Sequence, residues 1–63
     1  MLYRGDLVTV KEGAFAFNSI APKVGEPYKY YKTYVNKGNQ VAIIIDLDTQ
    51  QEYHIPIRFV QEI

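Results

Sequence analysis

The sequence predicts an all-β fold, a small five-stranded antiparallel barrel that forms a single domain over residues 1–63. Three observations predict it. Apolar residues recur at every second position in residues 41–47, the spacing of a strand with one apolar face. Strand-like segments alternate with turns rich in glycine, proline and asparagine. No segment shows the apolar spacing of a helix of useful length.

The first part of the barrel is predicted from β-branched and aromatic segments. Residues 7–10 (LVTV) form the first strand, and residues 11–27 form a long connection that ends in a loop with two prolines. Residues 28–35 (YKYYKTYV) form the second strand. Residues 36–39 are a turn, because glycine and asparagine both tolerate positive φ.

The C-terminal third, residues 40–63, is predicted to be a hairpin with a short returning tail. Four apolar residues share one face of its first strand: Val41, Ile43, Ile45 and Leu47. The polar residues 48–51 form the turn. On the returning strand Tyr53 and Ile55 share a face.

The end of this returning strand is set by a proline. Pro56 cannot donate to a β-ladder, so we expect the strand to stop or to meet a sheet edge there. One 3₁₀ turn is then expected at Ile57–Phe59, followed by a last short strand in residues 60–63.

The composition suits a small domain stabilised by its hydrophobic core. Of 63 residues, 48% are hydrophobic, and six tyrosines and three phenylalanines can each bury a large area. The chain has no cysteine for disulfide bonds, and one histidine is too few for a structural zinc site. No apolar run reaches the roughly 20 residues that span a bilayer, and the first residues do not resemble a signal peptide. We therefore expect a cytoplasmic protein without a membrane partner.

The charges cancel overall but are unevenly distributed. Seven basic and seven acidic residues give a formal net charge of zero, whereas nucleic-acid-binding domains typically carry a broad positive field. Residues 23–39 contain four lysines and one glutamate, and residues 40–63 contain four acidic residues and one arginine. The middle of the chain therefore carries a local positive excess.

In layout and in two short segments, the chain resembles the SH3-like small barrels. Residues 5–10 (GDLVTV) are similar to the opening strand of these barrels, and residues 11–27 take the place of their long first loop. Ile55 and Pro56, followed by Phe59 and Val60, are similar to their closing signature: an Ile-Pro, a 3₁₀ turn, then an aromatic residue and a valine. The resemblance implies the barrel fold without naming a specific family.

Tyrosines and lysines are interleaved on the predicted second strand. Alternation places four of them on one face: Tyr28, Tyr30, Lys32 and Tyr34. This face could bind a partner protein through rigid aromatic contacts, or stack nucleic-acid bases while the lysines meet phosphates. It could also be an ordinary core face of an amphipathic strand. We take these four residues as candidate partner-binding residues.

Phe15 and Phe17 belong to the long connection between the first two strands. Exposed, the two rings would form an apolar anchor for a partner. Buried, they would supply core volume to a small barrel that lacks tryptophan. Both interpretations stay open, and both residues join the candidate binding surface.

No motif in the chain indicates catalysis. Asp46 and Asp48 straddle the predicted hairpin turn, where aspartates usually bind backbone amides. His54 has no partner that would make it a base or a metal ligand, so a surface position is expected. Because no phosphate-binding loop, nucleophile elbow or metal-ligand spacing occurs, we expect a protein that is not an enzyme and has no cofactor.

The expected function is therefore binding. We expect a small non-catalytic protein-binding module, or an accessory subunit of a larger assembly, whose lysines steer an acidic partner surface. Weak single-stranded nucleic-acid binding by the tyrosine–lysine strand is the alternative. Homodimerisation, with the acidic hairpin of one copy against the basic strand of another, is a third.

Overall fold

All residues, Met1 to Ile63, are described by a computed structural model, which contains one antiparallel sheet of five strands. The predicted all-β class is thus confirmed. The elements in chain order are β1 (Leu7–Val10), β2 (Tyr28–Asn36), β3 (Asn39–Asp46), β4 (Glu52–Pro56), a 3₁₀ turn (Ile57–Phe59) and β5 (Val60–Glu62). The predicted first strand and the predicted 3₁₀ turn match the observed bounds.

The strands are ordered β4-β3-β2-β1-β5 across the sheet. β2 is the longest strand and joins the two halves of the sheet, since its first residues pair with β1 and most of its length pairs with β3. Gly5 and Asp6 extend the β1 side by hydrogen bonds to the backbone of Tyr30. This arrangement is compatible with an SH3-like small β-fold.

The core lies on one face of the sheet and draws on four strands. Its buried residues are Val8, Val10, Tyr28, Tyr30, Ala42, Ile44 and Ile55. Tyr53 packs against this cluster, with its ring edge-to-face with Tyr28 at 5.7 Å between centroids. Burial of a large apolar side chain contributes about 1.5–3 kcal/mol relative to exposure, so this cluster is the main source of stability.

The middle of β3 is buried on both faces. Ala42 and Ile44 face the core, while Val41 and Ile43 face the opposite side and are buried there too. We call this opposite side of β2, β3 and β4 the outer face. The four-residue face predicted for this strand is therefore the outer one, and Leu47 lies beyond the strand in the turn. A central strand covered on both sides has a continuous apolar sequence, as VAIII does here.

The connection between β2 and β3 is a two-residue turn. Lys37 and Gly38 have φ values of 52° and 81°, and Asn36 pairs with Asn39 on either side of them. Positive φ at both central residues defines the type I′ turn, whose twist matches that of the two strands. The tight turn therefore sets the register of β2 against β3.

Candidate functional site

A β-bulge divides the tyrosine–lysine strand into two parts. Tyr30 pairs with Ile44 and Lys32 pairs with Ile43, so Tyr31 is an extra residue in β2. An extra residue shifts the alternation of side chains by one position. The four candidates on this strand therefore do not share a face.

Tyr28 and Tyr30, before the bulge, point into the core. Tyr28 exposes only 1% of its surface and Tyr30 exposes 7%. The Tyr28 hydroxyl accepts a hydrogen bond from the Lys23 N–H at 2.9 Å, and the Tyr30 hydroxyl is bonded to Thr33 Oγ1. These two rings are core residues, which corrects their selection as a surface for a partner.

Lys32 and Tyr34, after the bulge, lie on the outer face. Lys32 is exposed, and Tyr34 is half-buried because its ring contacts His54 of β4, with 5.6 Å between ring centroids. The Tyr34 hydroxyl and His54 Nδ1 are 2.9 Å apart. His54 is thus half-buried and hydrogen-bonded, and differs in both respects from the isolated surface histidine that the sequence predicts.

Two cationic side chains lie close to the ring of the bulge residue Tyr31. The Arg4 guanidinium lies 4.5 Å from the ring centroid, and Lys32 Nζ lies 5.6 Å from it. Cations at such distances are attracted by the ring quadrupole. The contact with Arg4 crosses 27 sequence positions and depends on the turn at residues 4–5, so no local sequence signal could reveal it.

Phe15 and Phe17 form an exposed patch with Phe59. The Phe15 ring is edge-to-face with Phe17 at 5.2 Å and with Phe59 at 5.9 Å between centroids. Phe15 is 42% exposed and Phe17 is 53% exposed, while the alternating Ala14 and Ala16 pack against the core. We call Phe15, Phe17 and Phe59 the phenylalanine patch. Phe15 and Phe17 are therefore surface residues, as in the first of the two interpretations, rather than core residues.

Backbone hydrogen bonds fix the segment that carries this patch. Phe17 donates its N–H to the His54 carbonyl at 2.8 Å, and Lys11 donates to the Phe59 carbonyl at 2.9 Å. The side chain of Asn18 accepts from the His54 N–H at 2.9 Å and donates to the Glu52 carbonyl at 3.0 Å. Phe17 therefore lies beside β4, and His54 connects the patch to Tyr34 and the outer face.

The sequence does not single out Phe59 and Arg58 as binding residues. The Arg58 guanidinium lies 4.7 Å from the Phe59 ring centroid. A Cβ atom built on Gly13 would lie 3.7 Å from the Phe59 ring, so the chain turns closely over this ring. The patch thus combines apolar rings with one adjacent cation.

The Asp46 carboxylate has a structural role in the β3–β4 turn. Asp46 Oδ1 accepts the N–H groups of Asp48 at 2.8 Å and Thr49 at 2.9 Å. The bonds from Thr49 and Asp48 lower the pKa of Asp46 below its usual value. Asp48 is exposed, and nothing pairs the two carboxylates as an acid and a base.

Comparison of the chain with protein-family models, with curated proteins and with solved structures finds no match. The molecule contains no helix long and apolar enough to cross a membrane. No three side chains of His, Cys, Asp or Glu are grouped so that they could hold a metal ion. The geometry of the surface therefore carries the functional argument.

Proposed function

We propose that this chain is a non-catalytic protein-binding module, or an accessory subunit of a larger assembly, that contacts its partner through the phenylalanine patch. The observation that carries the proposal is the exposure of Phe15 and Phe17, whose rings are packed edge-to-face. Exposed aromatic clusters are typical of binding sites, because each ring buries a large area at low entropic cost.

The smaller side chains beside these rings support this proposal. Ala14 and Ala16 pack against the core while the phenylalanines alternate outwards. The backbone around the patch is held by hydrogen bonds to His54 and Phe59. A partner would thus meet a preorganised surface, which lowers the ordering cost of binding.

Positive charge near the patch favours an acidic partner. The cation at the patch is Arg58, which lies against Phe59. Lys29 and Lys32 add positive charge farther away, on the outer face of β2, two strands over from β4. Charges at the rim of an apolar contact mainly raise the association rate and select the partner. The proposed partner surface therefore offers an apolar group for the rings, with carboxylates around it.

We further propose that the fold is an SH3-like small barrel. The strand order, the long connection between β1 and β2, and the 3₁₀ turn before β5 support it. The long β2, which pairs with β1 at one end and with β3 along most of its length, provides the bend by which one sheet can curve towards a barrel.

Single-stranded nucleic-acid binding stays the alternative because of one observation. Tyr31 lies beside Arg4 and Lys32, where a base could stack on the ring while the cations meet phosphates. Two of the four tyrosines of β2 are buried, however, and the net charge of zero provides little long-range attraction.

Partner capture with matched variants tests the proposal. The immobilised chain is compared with Phe15→Ser, Phe17→Ser and the control Ile20→Ser, whose side chain is 81% exposed and lies outside the patch. We expect one protein to be retained by the wild type and by the control and lost from both phenylalanine variants. Equal retention by all four chains would contradict the proposed site.

Titration with a single-stranded oligonucleotide tests the alternative, nucleic-acid binding. We expect little binding at physiological salt and no difference between the wild type and Tyr31→Ala. Saturable binding that weakens steeply with salt, and is lost in Tyr31→Ala, would instead establish nucleic-acid binding.

A further inference from the structure

The second half of β2 has a free edge. β1 and the preceding Gly5 and Asp6 hydrogen-bond β2 only as far as Tyr30. From Lys32 to Asn36 the strand pairs with β3 alone, and no backbone bond outside the strand ladders involves Thr33 or Val35. One side of this half is therefore open along about five residues.

The turn geometry shows which backbone groups point to the open side. The residues that flank a two-residue type I′ turn form a hydrogen-bonded pair, here Asn36 and Asn39. Pairs alternate along an antiparallel ladder, so Tyr34 and Lys32 also bond to β3. The N–H and C=O groups of Thr33 and Val35 therefore point away from β3 and towards the open edge.

The edge at the other side of the sheet, strand β4, is covered by a neighbouring segment of the chain. Along β4, the Phe17 N–H donates a hydrogen bond to the His54 carbonyl. The Asn18 side chain accepts a hydrogen bond from the His54 N–H and donates one to the Glu52 carbonyl. Natural proteins usually cover, shorten or charge their edge strands. β4 is covered and β5 has three residues, whereas the β2 edge is longer and lies open.

An apolar groove runs beside the open edge. Its volume is about 450 Å³, and its lining includes Leu2, Tyr30, Thr33, Val35 and Ile57. Val35 is 67% exposed there. A strand added to this edge would place alternate side chains in the groove, beside Thr33 and Val35, and the intervening side chains on the outer face, beside Lys32 and Tyr34.

We propose that the β2 edge binds an extended segment of another protein as an additional strand, with apolar residues alternating with acidic ones. The acidic preference follows from charge, because residues 28–39 contain three lysines and no carboxylate. A second copy of this chain would bring two such lysine sets together, which disfavours pairing of two β2 edges. The contact is separate from the phenylalanine patch, so either proposal can fail alone.

A peptide titration followed by NMR tests this edge. The probe is a blocked peptide of about seven residues, roughly the length of the edge, with valine alternating with aspartate. A second peptide replaces each aspartate with lysine. We expect saturable amide shifts at residues 32–36 with the acidic peptide only, and slower hydrogen exchange of the Thr33 and Val35 amides.

Four variants give the test its specificity. Val35→Pro removes an N–H that points to the open edge, and we expect at least about tenfold weaker binding. Val35→Ala keeps this N–H and should bind within a few-fold of the wild type, while Lys32→Glu should weaken acidic-peptide binding several-fold. Phe15→Ser should leave the titration unchanged.

Three outcomes would overturn the proposal. One is the absence of saturable shifts at about 5 mM acidic peptide, a very weak affinity for such a contact. Another is equal binding by the wild type and a folded Val35→Pro variant. The third is a concentration-dependent mass with slowed exchange at Thr33 and Val35 in the protein alone, which would assign the edge to a second copy.

Discussion

Tyr34 of β2 and His54 of β4 are hydrogen-bonded to each other across the strand that separates them, with 2.9 Å between the tyrosine hydroxyl and Nδ1. Tyr34 pairs with Val41, and His54 pairs with Ile43, so all four side chains lie on the outer face. The two rings thus lie beside Val41 and Ile43 on this face, where both aliphatic residues are buried. His54 Nε2 also approaches Glu52 Oε1, at 3.4 Å.

Removing the Tyr34 hydroxyl should destabilise the fold. Tyr34→Phe loses the bond to His54, and we expect the free energy of unfolding to fall by about 0.5–1.5 kcal/mol. Tyr34→Ala also removes the ring beside Val41 and Ile43 and should cost about 1–3 kcal/mol. Urea unfolding measures both, with Tyr31→Phe as the control, since the Tyr31 hydroxyl has no hydrogen-bond partner in the protein. An equal effect of the two tyrosine-to-phenylalanine changes would contradict this role of the Tyr34–His54 bond.

The fold should lose stability at high pH through Tyr28. Burial raises the pKa of Tyr28 above its usual value of about 10, with a smaller opposing effect from its hydrogen bond to Lys23. The unfolded chain therefore ionises this tyrosine first. The stability that this group contributes is present below about pH 10 and is lost as the pH rises from the unfolded-state pKa through the folded-state pKa.

Tyr28→Phe isolates this effect from the other tyrosines. We expect the variant to lose about 0.5–1.5 kcal/mol at pH 7 because it lacks the bonds to Lys23. Its further loss between pH 9 and pH 11 should be smaller than that of the wild type. Urea midpoints across this range test the prediction, and parallel pH curves for the two chains would refute it.

The elements of this fold are predictable from sequence because their signals are local. Leu7–Val10 is rich in β-branched residues, and Pro56 before the 3₁₀ turn ends β4 by its missing N–H. The two-residue turn at Lys37 and Gly38 likewise follows from glycine and its neighbouring asparagines. These features depend on residues within a few positions of each other.

The composition of the candidate surface is less predictable, because it depends on contacts between distant segments. The bulge at Tyr31 has no local signal and shifts the side chains of β2, which separates Tyr30 from Tyr34. Alanine and phenylalanine alternate in residues 14–17, so the sequence alone allows either the alanines or the phenylalanines to face the core. With Tyr28 and Tyr30 already filling the core, only the alanines pack against it, and the phenylalanines face outwards.

Asp46 should stabilise the β3–β4 turn in its ionised form. Its pKa is lowered chiefly by the Thr49 and Asp48 N–H groups, so its contribution is present above the unfolded-state pKa of about 3.9. That contribution is lost as the pH falls through the lower, folded-state pKa. We expect Asp46→Ala to lower the urea midpoint at pH 7, and the difference from the wild type to shrink below pH 3.

Asp48→Ala is the matched control for this prediction. The Asp48 side chain accepts no hydrogen bond, and its replacement leaves the backbone N–H groups that donate to Asp46 Oδ1 in place. Its replacement should change the midpoint by much less than the replacement of Asp46 at pH 7. Equal effects of the two substitutions would mean that general turn charge, rather than the bonds to Oδ1, provides the stability.

Replacing Lys37 with asparagine should stabilise the β2–β3 hairpin. Lys37 adopts φ 52°, a left-handed conformation that costs most side chains about 1–2 kcal/mol but costs asparagine less. Asn-Gly is also the preferred pair for a type I′ turn. We expect Lys37→Asn to raise the free energy of unfolding by a few tenths to about 1 kcal/mol, and Lys37→Val to lower it by about 1 kcal/mol.

Lys29→Asn is the control, because it makes the same chemical and charge change at an exposed position within β2. Asparagine is disfavoured in strands, so this variant should be slightly less stable than the wild type. Opposite signs for the two lysine-to-asparagine changes, measured by urea unfolding, would assign the effect to backbone conformation. If both changes raised stability equally, relief of repulsion among the lysines would explain it, and strain at Lys37 would not.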